Sequence, residues 1–132
     1  MEVSGKKEKW CAVVNIFAAS RKAVNMWRKA ESHLKKDGVP YEALMTGDGG
    51  NAMNLTCTAC GEGYRKFIAV GGDGTVHDVL EGIMFFIEGR KIAGEEVSLA
   101  DFTLAVIPVG SGNDWIKTSG VPSDIAKAAS LF

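Results

Sequence analysis

The chain alternates between short runs of consecutive apolar residues and longer segments in which apolar residues recur every three or four positions. Four such runs, rich in β-branched side chains, cover residues 10–17, 41–45, 66–70 and 103–109. Nearly continuous apolar runs of this length are typical of parallel strands that are buried on both faces. Strands that alternate with helices indicate βαβ units. The pattern therefore predicts an α/β domain of three layers, with helices on both faces of one parallel sheet.

The segments between the apolar runs predict helices. Ser20 is placed to cap the first helix and Gly38 to end it, and the apolar face of this helix consists of Val24, Trp27, Ala30 and Leu34. A second helix covers residues 51–60, and another begins near residue 122. The helix after the third strand has the clearest helical spacing, carried by Val76, Val79, Leu80, Ile83, Met84 and Ile87. Residues 89–101 are polar and predict a surface loop.

Glycine is concentrated directly after the predicted strands. The chain has 16 glycines among 132 residues, about 12% where about 7% is usual. Clusters lie within residues 47–50, 71–74 and 110–112. The carboxyl ends of parallel strands meet at one edge of a sheet, where backbone amides and helix N-termini bind phosphate. The sequence therefore predicts a phosphate site at this edge.

The second cluster, Gly-Gly-Asp-Gly-Thr at residues 71–75, carries an acidic residue between its glycines. A carboxylate beside phosphate repels it unless a cation intervenes, so Asp73 indicates a nucleotide-bound Mg²⁺. Neither the P-loop spacing nor the G-x-G-x-x-G spacing occurs. A plainer reading is a tight turn in which Thr75 caps the next helix, with Asp78 in place of the glutamate of a capping box. Both readings use the same helix terminus and are compatible.

Residues 71–75, together with Ile-Pro-Val-Gly-Ser-Gly-Asn-Asp-Trp at residues 107–115, resemble the bacterial diacylglycerol kinase family of lipid kinases. The two motifs in this order are far more specific than either alone. The resemblance covers residues 10–132 and corresponds to the N-terminal nucleotide-binding domain of that family, preceded by a flexible tail at residues 1–9. It implies the fold that the family shares with NAD kinases and phosphofructokinases. It also implies that the family's second, mostly β domain is absent from this chain, whose last predicted helix ends without a cap.

Members of this family transfer the γ-phosphate of ATP to a lipid hydroxyl with the help of Mg²⁺. The resemblance thus implies the ATP-binding half of a lipid kinase, acting on diacylglycerol or a similar lipid alcohol. The general base is expected in the second domain, so no catalytic residue is assigned here and the isolated chain is expected to be inactive. Two alternatives stay open: an NAD kinase, which shares the first motif, and a non-catalytic nucleotide-sensing or assembly module.

The resemblance assigns nucleotide binding to residues that lie just after each of the four predicted strands. Asn15 closes the first strand, and Thr46, followed by Gly50 and Ala52, matches a family pattern after the second. The full set is Asn15, Thr46, Gly71, Gly72, Asp73, Gly74, Thr75, His77, Asp78, Gly110, Ser111, Asn113 and Asp114, with Asp73 also assigned to the metal.

The chain departs from the family pattern at three of these places. Ile16 follows Asn15 where the family usually has a proline and a glycine-bearing loop. His77 and Asp78 stand where an Asn-Glu pair is common, and Ser111 replaces a threonine while keeping the hydroxyl. These changes indicate a divergent member of the family with the fold retained.

Charge and cysteine content limit the expected binding partners and the expected cellular compartment of the protein. A net charge of −1 and a pI of about 6.1 give no general attraction to nucleic acid. The N-terminus lacks the apolar core of a signal peptide, and no stretch reaches the length of a membrane span. Three cysteines without framework spacing favour a reducing compartment, with Cys57 and Cys60 as small buried helix residues. We therefore expect a cytoplasmic protein; contact of the full-length protein with the inner membrane surface, and a homodimer, stay open.

Overall fold

Four parallel strands and three helices make up the part of the chain that a computed structural model describes, which is residues 6–18, 22–47 and 51–108. The strands are β1 (Trp10–Val14), β2 (Tyr41–Met45), β3 (Lys66–Gly71) and β4 (Thr103–Pro108). The helices are α1 (Lys22–Lys36), α2 (Ala52–Gly61) and α3 (Asp73–Ile92), and a short 3₁₀ helix at Leu99–Asp101 precedes β4. The predicted cap Ser20 and the predicted helix from residue 122 lie outside the described residues.

The strands form one sheet in the order β2-β1-β3-β4, with every neighbouring pair parallel. Trp10 lies beside Tyr41 on one side and Lys66 on the other, and Lys66 lies beside Thr103. The starts of all four strands are therefore aligned at one edge, and their carboxyl ends are aligned at the other. The predicted parallel α/β sheet is confirmed.

Both faces of the central strands β1 and β3 are buried, which explains their continuous apolar runs, whereas no residue of the edge strand β2 is fully buried. Successive side chains of a strand point to opposite faces. Trp10, Ala12 and Val14 of β1 pack on the α1 side, where α1 contributes Ala23, Trp27, Ala30 and Leu34. Cys11 and Val13 pack on the α2 and α3 side, together with Cys60, Phe67, Ala69, Val79 and Ile83. The three predicted layers are thus present, and each face of the sheet has its own core.

The structure corrects several predicted boundaries and faces. β1 ends at Val14, three residues before the predicted end, because residues 16–18 turn away from the sheet. In α1 the buried position is Ala23, whereas Val24 is only half-buried. Helix α3 continues to Ile92, so the first part of the predicted loop at residues 89–101 is helical.

The buried face of α3 also differs from the predicted one. Leu80 and Met84 are 38% and 44% exposed, while Gly82 and Phe86 are buried. Gly82 explains this rotation, because a Cβ atom built on it would lie 2.6 Å from the Met53 carbonyl oxygen. At position 82, helix α3 therefore presents a glycine to α2 where a larger residue would not fit.

Residues 6–9, which fall within the predicted tail, contact the body of the domain. The Lys9 ammonium lies 3.5 Å from a Glu42 carboxylate oxygen, and Glu8 lies 3.6 Å from Lys66. Lys6 lies over the ring of Tyr64, 5.5 Å from its centroid. None of the helices in the described ranges combines the length and the apolar content that a membrane span needs.

Candidate functional site

The turn between β3 and α3 leaves only Gly72 between the last residue of the strand and the first of the helix. Gly72 is the N-cap, with extended backbone angles and no side chain to cap the helix. Its carbonyl oxygen accepts from the amides of Thr75 and Val76, at 3.0 and 3.2 Å. The first amides of a helix have no intrahelical acceptor, so those of Asp73 and Gly74 are available to a ligand at the positive end of the helix dipole.

Thr75 does not cap α3, because it lies inside the first turn of the helix. The capping-box reading with Asp78 was therefore wrong. Thr75 is only 3% exposed, and a Cβ atom built on Gly71 would lie 2.3 Å from its hydroxyl oxygen. Glycine at position 71 thus makes room for the buried threonine. By contrast, Cβ atoms built on Gly72 and Gly74 would meet no atom of the described residues within 4 Å.

Hydrogen bonds of Asn15 link the end of β1 to this turn and to β3. Its side-chain Nδ2 donates to the Thr75 hydroxyl oxygen at 3.1 Å, across sixty residues of sequence. Its Oδ1 accepts from the backbone amide of Phe17 at 3.1 Å. Its own amide donates to the carbonyl oxygen of Val70 on β3 at 3.0 Å. The loop after β1 and the first turn of α3 are therefore held together.

Thr46 fixes the other side of the same loop. Its amide donates to the Val14 carbonyl oxygen at 3.0 Å, and its hydroxyl accepts from the amide of Ile16 at 3.4 Å. Gly47 follows with φ of 115°, a left-handed backbone conformation that favours glycine. A Cβ atom built there would lie 3.2 Å from Ile16 Cδ1. The loops after β1 and β2 thus contact each other closely.

The charged side chains at the start of α3 are exposed. Asp73 is the acidic residue of the first turn, and its side chain faces solvent. One turn further on, the His77 imidazole lies 4.0 Å from Asp78 and 3.8 Å from Glu81, and all three side chains are largely exposed. No group of three or more metal-ligating side chains occurs in the described ranges. A lone carboxylate still fits Mg²⁺, which keeps several waters and is completed by substrate phosphates.

The structure brings together most of the predicted site residues that it describes. Asn15, Thr46 and residues 71–75 lie at the carboxyl edge of three neighbouring strands, whereas His77 and Asp78 lie a turn away on the exposed side of α3. The remaining predicted residues are outside the described ranges: Gly50, Gly110, Ser111, Asn113 and Asp114.

Phe17 is a residue of this edge that sequence reasoning missed. The continuous apolar run places it in the first strand, yet it lies in the loop after β1 and its side chain is 56% exposed. The signal that could have found it is Asn15, a polar residue that interrupts the run where the strand ends.

The sequence model of the diacylglycerol kinase catalytic domain matches residues 9–132, which is nearly the whole chain. The chain belongs to the diacylglycerol kinase catalytic domain family. Its four-stranded parallel sheet is accordingly shared with solved structures of the same class. A candidate diacylglycerol kinase from Bacillus anthracis str. Sterne matches with a TM-score of 0.60 and 32% identity, over 96% of this chain and 41% of that one.

Curated relatives of this diacylglycerol kinase catalytic domain carry the name "Probable lipid kinase YegS-like". The protein from Pseudomonas syringae pv. tomato is 32% identical over 105 residues, which is 80% of this chain and 30% of the relative. The protein from Stenotrophomonas maltophilia is 29% identical over 124 residues, 94% of this chain and 37% of the relative. The chain therefore spans about a third of the length of these relatives.

Proposed function

We propose that this diacylglycerol kinase catalytic domain holds the phosphates of ATP at the turn between β3 and α3, as the nucleotide-binding part of a lipid kinase. The observation that carries the proposal is the uncapped start of α3. Gly72 offers no capping side chain, and the space beside Gly72 and Gly74 is open to 4 Å. Backbone amides that a protein side chain would otherwise satisfy are thus left for an anion.

Asp73 is the residue that would hold Mg²⁺ beside the phosphates. Its exposed carboxylate lies in the first turn of α3, next to the amides of the proposed phosphate site. The ion supplies positive charge that neutralises the phosphate oxygens during phosphoryl transfer. The role of the domain itself is to orient the nucleotide and to stabilise negative charge by amides that are fixed before the ligand arrives.

The proposed acceptor is the hydroxyl of diacylglycerol or of a similar lipid alcohol. Support comes from the family description and from relatives named as probable lipid kinases. Those relatives are about three times as long as this chain, so we propose that acceptor binding and the general base belong to the additional length. Phosphate transfer from ATP to diacylglycerol by a protein that includes the additional length, with NAD as a competing acceptor, is the assay that separates this proposal from the NAD kinase alternative.

The phosphate site is tested by Gly74→Val and calorimetric titration with ATP and Mg²⁺. A Cβ atom built at this position meets no atom of the described residues within 4 Å, so the free energy of unfolding should change by less than about 1 kcal/mol. The valine side chain fills the space proposed for phosphate, and we expect the affinity for ATP to fall at least about tenfold, which is 1.4 kcal/mol.

Gly89→Val is the matched control. Gly89 belongs to the same helix, and a Cβ atom built there also meets nothing within 4 Å, but it lies near the opposite end of α3. This variant should bind ATP as the unmodified chain does. Unchanged ATP affinity in Gly74→Val would show that phosphate does not bind at the start of α3.

A further inference from the structure

The hydroxyl of Thr75 faces the interior of the domain. Thr75 is 3% exposed, its oxygen accepts from Asn15, and Gly71 lies directly against it. A group so enclosed is poorly placed to contact phosphate itself. The neighbouring amides of Asp73 and Gly74, by contrast, belong to the exposed side of the same turn.

Asn15 is fixed as tightly as its partner. Its Oδ1 is taken by the Phe17 amide, and its backbone amide is bonded to β3 through Val70. The amides of Ile16 and Ala18 are also used within the protein, by the Thr46 hydroxyl and the Asn15 carbonyl oxygen. Residues 16–18 of the loop after β1 therefore offer a hydrogen-bonded wall beside the glycine turn and not a second set of free amides.

We infer that Asn15 and Thr75 are a positioning pair for the phosphate site. Their hydrogen bond fixes the first turn of α3 against the loop after β1, and so sets the width of the gap in which phosphate would lie. A fixed gap raises affinity because the ligand does not have to order the loop on binding. The inference rests on the proposed function and assigns these two residues an indirect role in it.

The test compares Thr75→Val with Thr75→Ser, by calorimetry with ATP and Mg²⁺ and by amide hydrogen exchange without nucleotide. Valine removes the hydroxyl at nearly constant shape, and serine keeps it. We expect about fivefold weaker ATP binding and faster exchange at residues 72–76 in Thr75→Val, with recovery of most of the affinity in Thr75→Ser.

Thr56→Val is the matched control, because Thr56 is the other fully buried threonine among the described residues and its hydroxyl has no hydrogen-bond partner there. It should leave ATP affinity unchanged. Asn15→Ala completes a double-mutant cycle. Since Asn15→Ala already breaks this bond, together with the bond from the Phe17 amide, the addition of Thr75→Val to Asn15→Ala should weaken ATP binding no further.

The outcomes separate this inference from the proposed function. If the unmodified chain binds no ATP, the proposed function fails and the positioning role fails with it. If the unmodified chain binds ATP and Thr75→Val binds equally well, only the positioning role is overturned. Losses that add in the double variant would identify two direct ligand contacts instead, and would also overturn the inference.

Discussion

The two ends of the parallel sheet are built from different interactions. At the amino end, charged and aromatic side chains close the structure: Lys9 pairs with Glu42, and Arg65 lies over the rings of Phe86 and Phe102, 5.2 and 5.1 Å from their centroids. Arg65 also donates to the carbonyl oxygens of Cys60 and Tyr64. At the carboxyl end, within the described ranges, small polar side chains form hydrogen bonds with one another or with backbone amides, and glycines make room for close contacts.

Under the proposed function, this difference separates stability from ligand binding within one small domain. Large side chains at the amino end fill space and satisfy carbonyl oxygens. At the carboxyl end Gly72 and Gly74 leave space open, and the amides at the start of α3 are without a capping side chain. A substitution at the amino end should therefore affect stability alone, whereas one at the carboxyl end should affect binding, with or without a change in stability.

The largest expected effect is on the reactivity of the buried thiols near the amino end. Burial raises the pKa of Cys11 and of Cys60 from 9.0 to about 12. At pH 8 their thiolate fraction is therefore about 1,000-fold lower than for an ordinary thiol. We expect a disulfide reagent to modify one thiol per folded chain, the partly exposed Cys57, and to modify none rapidly in Cys57→Ser.

The same shifts fix the sign of a pH dependence. Because folding raises these pKa values, the unfolded chain loses its thiol protons first as the pH rises. The free energy of unfolding should thus fall between pH 9 and about pH 12. Rapid modification of two or three thiols at pH 8 would show that the amino end is open to solvent.

Gly71→Ala should disturb the carboxyl end and affect both properties at once. The added Cβ would lie 2.3 Å from the Thr75 hydroxyl oxygen and 2.8 Å from its Cβ. Because Thr75 is buried, its side chain cannot move away to relieve the clash, and we expect a loss of about 3 kcal/mol in the free energy of unfolding. Chemical denaturation measures this loss, and titration with ATP at low temperature should show weakened binding. Gly74→Ala, which meets no atom, is the control for stability.

Arg65→Met should affect stability alone. Methionine keeps an apolar stem over the rings of Phe86 and Phe102 but removes both hydrogen bonds to the carbonyl oxygens. We expect a loss of about 2 kcal/mol in urea denaturation, with ATP affinity of the folded chain unchanged. Arg28→Met, on the exposed side of α1, is the matched control and should be nearly neutral. A loss of ATP affinity in Arg65→Met would contradict the separation of the two ends.

The sheet was predictable because strands buried on both faces have few sequence solutions. Continuous apolar runs and alternating helices sufficed for the four strands and the layers. Where the prediction failed, a contact between residues distant in sequence determined the local structure. Helical spacing identifies α3 but not its rotation about its own axis, which Gly82 sets by its approach to the Met53 carbonyl oxygen. The start of α3 was placed too late, because rules for side-chain caps overlook a helix that begins at a bare glycine.

That the candidate residues lie at the carboxyl edge of the sheet was predictable, whereas the hydrogen bonds among them were less so. Glycines after strands, and the motif at residues 71–75, place the candidate site at the carboxyl edge of the sheet. That the Thr75 hydroxyl is turned inward toward Asn15 could not be read locally, since the two residues are sixty positions apart and meet only when β1 pairs with β3. Motifs report which residues stand at an edge, whereas packing decides which of their atoms point outward.

The bond between Asn15 and Thr75 also has a consequence for the order of folding. It can form only after the long crossover from β1 to β3 has closed, and contacts between such distant residues are made late because chain closure costs entropy. The edge that would receive phosphate is thus absent from early, locally folded states. A ligand that needs this edge recognises only chains that have completed the sheet, and by mass action it draws the population toward them.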